Sequence, residues 1–344
     1  MNSISDFEVE DKDIVIFVIG AGAGGSAAID AVVSKFPYRT VIYAFEAREF
    51  GDHDKKAYQH YLNMGVRVVI INRAVSGKSG LQKFYLNKQT PSSSLLPPSE
   101  KTINDHIVPF TTDQKITTWG ENTELDKEVE LDAITLKEFI EKEGVTPDLI
   151  VADVQGMELE VIKGMGDYIK DVGALFTEVE FYEIYKGQAL FSDQSQYYEV
   201  NNIRLAEMYG LQRWHPAPAA GSGFLTVAEA LWMRTVDSMF EGYKGTGKQN
   251  MQLIKQIKQA AIAFCYDKLS YTYAVLERLC VEWGDTEIVR NSVRDMCDSL
   301  GYNRLVKLHH HINANLNNYK ENNKFFLDNT GEALQIRDGG KAIR

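Results

Sequence analysis

Residues 14 to 19, IVIFVI, are continuously apolar and rich in β-branched side chains, the pattern of a strand buried on both faces. The glycine-rich GAGAGG turns the chain, and the residues after Gly25 have helical composition. The rhythm then repeats. TVIYAFE (40 to 46) reads as a strand, HDKKAYQHYLNMG (53 to 65) as a helix closed by Gly65, and VRVVIINRAV (66 to 75) as a third strand. Same-direction neighbours need crossover helices, so this βαβαβ run predicts a parallel sheet.

Residues 76 to 135 interrupt the alternation with SGKSG, the alternating LQKFYLN, the Ser/Pro stretch QTPSSSLLPPSE and a polar run up to EVELDAIT. We read them as an inserted β and loop region after the third strand. Alternation resumes with helix LKEFIEKEG, strand PDLIVADVQG (147 to 156), helix ELEVIKGMGDYIK (158 to 170), strand ALFTEVEFYEIY (174 to 185) and a helix over about 194 to 210. Two strands follow without a helix, LQRWHPAP and FLTVAEALWMR, joined by AAGSG. So short a loop forces them antiparallel.

Beyond Arg234, residues 250 to 283 and 286 to 302 carry apolar positions at three- and four-residue spacing, and a third helix begins at NRLVKL. The expected organisation is an N-terminal tail (1 to 13), an α/β domain (14 to 234), an α-helical region (235 to 330) and a tail (331 to 344). The apolar stripes of that helical region need a cover, which is either the cleft of the α/β domain or a second copy of the chain. His309, His310 and His311 are consecutive, so on a helix they point in different directions and make a poor metal site; no metal is expected.

Of 344 residues, 37 are basic and 48 acidic, giving a formal charge of -11 that repels phosphate backbones and disfavours a nucleic-acid partner. Cys265, Cys280 and Cys297 lack the close spacing of zinc or redox motifs and fit a reducing compartment. The acidic start MNSISDFEVEDKD is unlike a secretory leader, and the apolar run after it is too short to span a bilayer. The expectation is a cytoplasmic protein without a membrane span.

Gly20, Gly22 and Gly25 form G-x-G-x-x-G directly after a strand and before a helix, where missing Cβ atoms let a cofactor approach the backbone. Glu46 closes the second strand, where a carboxylate accepts both hydroxyl protons of an adenosine ribose. NAD and S-adenosylmethionine (SAM) share that ribose, so these residues alone leave both open. A closely packed turn with no ligand is the third reading.

LIVADVQGMELEVIKGM (149 to 165) resembles the D-V-E-G-A-E-x-x-V-L-x-G signature of the FkbM family of SAM-dependent methyltransferases. VIYAFEARE (41 to 49), INRAVSGKSG (71 to 80), SSSLLP (92 to 97), AITLKEF (133 to 139) and EIYKGQALF (183 to 191) are similar to further family motifs, in the family's order, so that the resemblance covers about residues 14 to 234. Val18, Gln155 and Glu229 depart from it, standing where aspartate, glutamate and aspartate are usual. The resemblance implies a class I SAM-methyltransferase fold, a Rossmann-like, mostly parallel α/β sheet with a terminal antiparallel hairpin and, in this chain, a C-terminal α-helical appendage. It implies methyl transfer from SAM to a hydroxyl of a sugar, glycan precursor or small secondary metabolite. The alternatives are an NAD(P)- or FAD-dependent oxidoreductase and a non-catalytic SAM-binding or partner-binding module.

On that reading Gly20, Ala21, Gly22, Gly24, Gly25, Glu46, Ala74, Ser94 and Asp153 contact the cofactor, the serine loop reaching its methionyl carboxylate. An alcohol is barely ionised at neutral pH and needs a general base. Asp153 ends the fourth strand beside the first and is a candidate, its alternative being to cap the helix near Met157. Glu178 and Glu180, two apart on the fifth strand, share one face; Glu180 is nearer the cleft end and the second candidate, with a structural salt bridge as its alternative. His215 is the third, its alternative a turn residue beside proline.

Overall fold

A computed structural model describes residues 9–23, 27–48, 51–99, 104–108, 117–216, 223–241, 249–282 and 298. They fall into two compact units, Met1–Lys268 and Leu269–Arg344.

The first unit opens on strand β1 (Ile14–Ile19), every residue of it buried. Helix α1 (Ala27–Val33), strand β2 (Thr40–Phe45), helix α2 (Asp52–Asn63) and strand β3 (Arg67–Ile71) complete the βαβαβ run, with β1, β2 and β3 paired in parallel. The third strand is shorter than its apolar run suggests. It stops at Ile71, and Ala74–Val75 leave the sheet as β4.

The interruption that follows holds β5 (Gly80–Asn87), β6 (His106–Val108), β7 (Thr117–Thr118), helix α3 (Trp119–Asn122) and β8 (Leu125–Ile134). β8 pairs parallel with β4 and antiparallel with β5 in a separate three-stranded sheet. The chain then re-enters the main layers. In helix α4 (Leu136–Glu143), Thr135 Oγ1 accepts the Glu138 N–H at 3.2 Å, and Gly144 ends the helix at φ +69°.

Next come β9 (Leu149–Ala152), α5 (Glu158–Lys163), β10 (Ala174–Glu180), α6 (Phe191–Val200), β11 (Ile203–Pro216) and β12 (Phe224–Arg234). The helix expected over 194 to 210 therefore ends at Val200. Asn202 sits at φ +58°, outside the right-handed helical basin, and the chain leaves it as a strand. Helices α7 (Val236–Phe240) and α8 (Gln249–Cys265) close the unit. Asp267 at φ +57° breaks the single helix expected over 250 to 283, and α9 (Leu269–Glu282) belongs to the second unit. Apart from residue 298, the expected helices beyond residue 285, and the triple histidine with them, lie outside the described residues.

The main sheet has the order β3-β2-β1-β9-β10-β12-β11-β6-β7. β9 and β10 continue parallel to β1, whereas β12 runs antiparallel to β10 and to β11, as the short AAGSG loop requires. The fold is α/β with a mixed sheet. On one face Phe17 and Phe45 meet Phe139 of α4 edge-on, with ring centroids 5.5 and 4.8 Å away. On the other, Tyr266 stacks on Phe176 of β10 and donates its hydroxyl to the Ala28 carbonyl of α1.

Helix α8 is anchored at the amino ends of the strands. Lys258 Nζ pairs with Asp148 Oδ2 at 2.8 Å and donates to the Asp13 carbonyl, while the same Asp148 oxygen accepts the Val15 N–H. Both side chains are buried, so removal of either leaves a charge that costs about 3–5 kcal/mol. The carboxyl ends of the strands, opposite this anchor, are left for a ligand. No described helix is long and apolar enough to cross a membrane.

Candidate functional site

The strand order reverses between β1 and β9: β2 and β3 lie to one side of β1, β9 and β10 to the other. Loops leaving such neighbours diverge, and ligands of open α/β sheets bind in the crevice so formed. Here a cleft of about 870 Å³, counted out to its open mouth, runs across these strand ends, with Gly20, Gly22, Glu46, Arg48, Ala74, Ser93 and Asp153 among its lining.

Gly20 stands at φ +82°, and a Cβ there would overlap the carbonyl oxygen of Asp153. Its N–H donates to the Phe45 carbonyl at 3.0 Å, while Asp153 N–H donates to Ile19 at 3.1 Å. The glycine turn, the end of β2 and the end of β9 are thereby locked to one another. Gly22 faces Glu46 so closely that a Cβ would overlap Glu46 Oε2. Glu46 is buried; its other oxygen accepts the Arg48 N–H at 3.0 Å and Nε–H at 3.3 Å. Carboxylate and glycine turn together make a concave, anionic edge for a ligand's hydroxyl groups.

Five acidic side chains gather beside this edge. Asp153 opens onto the cleft but has protein on its other sides; that burial raises its pKa, Glu46 adds to the rise, and a 2.7 Å hydrogen bond from Gln155 Nε2 opposes it. Asp153 does not cap the following helix, whose N-cap position is Met157. Instead Glu158 Oε1 accepts the N–H groups of Val154 at 2.7 Å and Gly156 at 3.3 Å. Burial lifts Glu158 to about 7 and the charge of Asp153 adds to the rise, while the backbone N–H bonds work against it.

Glu178 is held well above the ordinary carboxylate range, first by burial and then by Asp153, Glu180 and Glu158; Gln155 Nε2 also reaches its Oε2 at 3.3 Å. Glu180 is fully buried, and its pKa is likewise pushed well up by burial and then by Glu158 and Asp153, against hydrogen bonding from its own backbone N–H and the Gln188 amide. Glu229, opposite Glu178 in the β10–β12 register, is raised by burial and by Asp153.

Gln155 organises this group from an unusual backbone. Its φ is +57°, which a non-glycine residue adopts at a cost of order 1 kcal/mol. The turn is clamped from outside: Ser94 Oγ donates to the Gln155 carbonyl at 2.6 Å, and Tyr185 Oη donates to Gln155 Oε1 at 2.8 Å.

The described residues thus bring Gly20, Gly22, Glu46, Ala74 and Asp153 to one cleft, with Glu180 behind Asp153. Ala21 is buried in the turn and Gly24 and Gly25 lie outside the described residues. Ser94 does not line the cleft, since its hydroxyl serves Gln155 and the Leu96 N–H; Ser93 lines it instead. His215 pairs across strands with Ile107, makes a 3.4 Å contact with the Pro216 carbonyl and is not among the lining residues. Arg48 and Arg73, which sequence reasoning passed over, both line the cleft. Arg48 follows Glu46 by two, the one local sign that the two side chains could meet.

A family model for the FkbM methyltransferase domain matches residues 19–207, which include β1's end, the glycine turn, Glu46 and the whole acidic group except Glu229. The chain belongs to this family. The FkbM domain takes in both loops of the cleft and stops inside β11. No curated protein matches the chain. Among solved structures, one described as a "putative methyltransferase" from Thermoplasma acidophilum is similar at 12% identity over 65% of this chain and 69% of that one, with a TM-score of 0.25, too distant to carry weight.

Proposed function

We propose that this FkbM methyltransferase transfers the methyl group of SAM to a hydroxyl of a small molecule or glycan precursor. The observation that carries the reading is the Gly22–Glu46 contact: a glycine lying directly against a buried carboxylate, at the switch point of the sheet. Such a cradle fits an adenosine ribose, with Glu46 Oε2 accepting from its hydroxyls and Arg48 fixing the other oxygen. Gly20 and Ala74 leave room along the same wall.

Bound there, SAM supplies an electrophilic methyl group on a sulfonium centre. The protein's share is to align the acceptor, exclude water and take the hydroxyl proton. Asp153 is the base in this reading, because it reaches the cleft and its pKa is raised, which makes it a stronger proton acceptor than an ordinary aspartate. Glu180, enclosed and without access to the lining, supports Asp153 from behind, and His215, on β11 opposite Ile107, is not among the residues that line the cleft.

Incubating the protein with methyl-labelled SAM and fractionated cell extract, followed by mass spectrometry, tests the reaction. The expected result is label on a low-mass acceptor that the Asp153→Asn variant does not produce. Absence of labelled product from every fraction, with SAM left intact, contradicts it.

A further inference from the structure

The Tyr185 hydroxyl has one hydrogen and two acceptors in reach, Gln155 Oε1 and the Ser92 carbonyl, each at 2.8 Å. Ser92 does not depend on it, because Asn87 Nδ2 donates to the same carbonyl at 2.7 Å. Tyr185 is fully buried. Burial first, and then Glu178, Glu180, Asp153 and Glu158, hold its phenol well above the ordinary range, so the hydrogen stays on the oxygen and only its direction is open.

That direction fixes the amide of Gln155. With the hydrogen on Gln155 Oε1, Nε2 faces Asp153 Oδ1 at 2.7 Å and Glu178 Oε2 at 3.3 Å, and both oxygens accept. With the hydrogen turned to Ser92, the phenol oxygen becomes the acceptor, and the amide meets it only after a half-turn that brings Nε2 to Tyr185 and Oε1 to the two carboxyl groups. Asp153 Oδ1 and Glu178 Oε2 must then each carry a proton. Pairing either phenol direction with the other amide orientation sets two donors or two acceptors face to face. The backbone is held throughout, since Ser94 Oγ donates to the Gln155 carbonyl at 2.6 Å.

We propose that Gln155 is a positioning residue for the base, its amide standing in two orientations that turn together with the Tyr185 hydroxyl: one keeps Asp153 Oδ1 a hydrogen-bond acceptor, the other holds protons on Asp153 and Glu178. Only the role of Asp153 as base rests on the methyl-transfer reading. The protons come from solvent as pH falls and return to it as pH rises. The other ionisable groups that bear on the pair are Glu158 on α5, Glu180 on β10, Glu229 on β12 and Glu46 at the end of β2, the last held by Arg48. Each opposes charge on Asp153 or Glu178, whereas the bond from Gln155 Nε2 favours the ionised form of Asp153.

Tyrosine carrying ¹³C at Cζ is the probe, in the full-length protein without cofactor. The resonance that Tyr185→Phe removes should shift between about pH 5 and 8, although the phenol does not ionise there, and Gln155→Met, with neither donor nor acceptor, should abolish the shift. In single-turnover methyl transfer to the acceptor identified by labelling, Gln155→Met should move the acid limb of the pH–rate profile up by about one unit and recover its rate at high pH. Gln155→Glu, a charge in place of a donor, should move the limb the same way and keeps the test open if Gln155→Met fails to fold in a thermal scan. A Tyr185 resonance that does not move with pH, or that moves equally in Gln155→Met, overturns the proposal, as does a rate loss that is the same at every pH. Titration with S-adenosylhomocysteine separates the two readings: its binding beside an unmoving Tyr185 resonance sinks the amide switch alone, and a pH-linked resonance without its binding sinks the methyl-transfer reading alone.

Discussion

Gly20 carries no side chain because the backbone carbonyl of Asp153 occupies the space where one would begin. This contact ties the glycine turn to the loop that bears the proposed base, Asp153. Gly20→Ala must move that carbonyl and also hold an alanine at φ +82°. The expected loss of stability exceeds about 2 kcal/mol, read by urea unfolding, and S-adenosylhomocysteine binding should fall with it. A variant that is as stable as the wild type would show that the turn is not locked in this way.

Glu46 is a narrower test, since it touches the ligand edge without joining strands through its side chain. Glu46→Gln keeps the shape and removes the charge. Losing a hydrogen bond to a charged group costs about 1.5–3 kcal/mol, so affinity for S-adenosylhomocysteine should drop by about 10- to 100-fold with little change in melting temperature. Unchanged affinity would place the ribose elsewhere.

Asp153→Asn separates base from binder. If Asp153 takes the proton, turnover should fall by about 10²–10⁴-fold, while S-adenosylhomocysteine binding shifts only a few-fold. Single-turnover kinetics with the acceptor identified by labelling would read this, and equal losses in both would make Asp153 a binding residue instead.

The acidic group also predicts how stability depends on pH. Glu158 has a folded-state pKa of about 7 against an ordinary 4.5, so the folded protein holds a proton that the unfolded chain releases. Stability from this source is fully present below pH 4.5 and is lost as pH rises to 7, by about 3 kcal/mol. Asp153, Glu178, Glu180 and Glu229 are raised too and act with the same sign. In chelator-containing buffer, unfolding free energy should fall between pH 5 and about 7.5, and Glu158→Gln should flatten the slope. A flat or rising wild-type profile would contradict the burial of these groups.

The cleft's frame was legible because its parts are local. An all-apolar run before GAGAGG declares β1, Glu46 ends an equally apolar strand, and five residues between LQRWHPAP and FLTVAEALWMR leave no room for a crossover. Strand β11 was only half legible. Residues 203–210 mix polar and apolar side chains and, Ile203 apart, are exposed or half-exposed, a pattern a helix shares, and only Asn202 marks the stop. The role of Ser94 was not readable at all: a hydroxyl that serves the Gln155 carbonyl rather than the cleft is decided by a contact 61 positions along the chain. So, too, the sequence shows Asp153, Glu158, Glu178 and Glu180 as separate acids; only the neighbouring ends of β9 and β10 make them one group.

That SAM occupies the β1–β9 crevice is the claim on which the rest depends, and calorimetric titration tests it most directly. The wild-type protein should bind S-adenosylhomocysteine once per chain, with Glu46→Gln much weaker, and should give no heat with NADH or NADPH. Saturable NAD(P)H binding in the absence of any response to S-adenosylhomocysteine would contradict it.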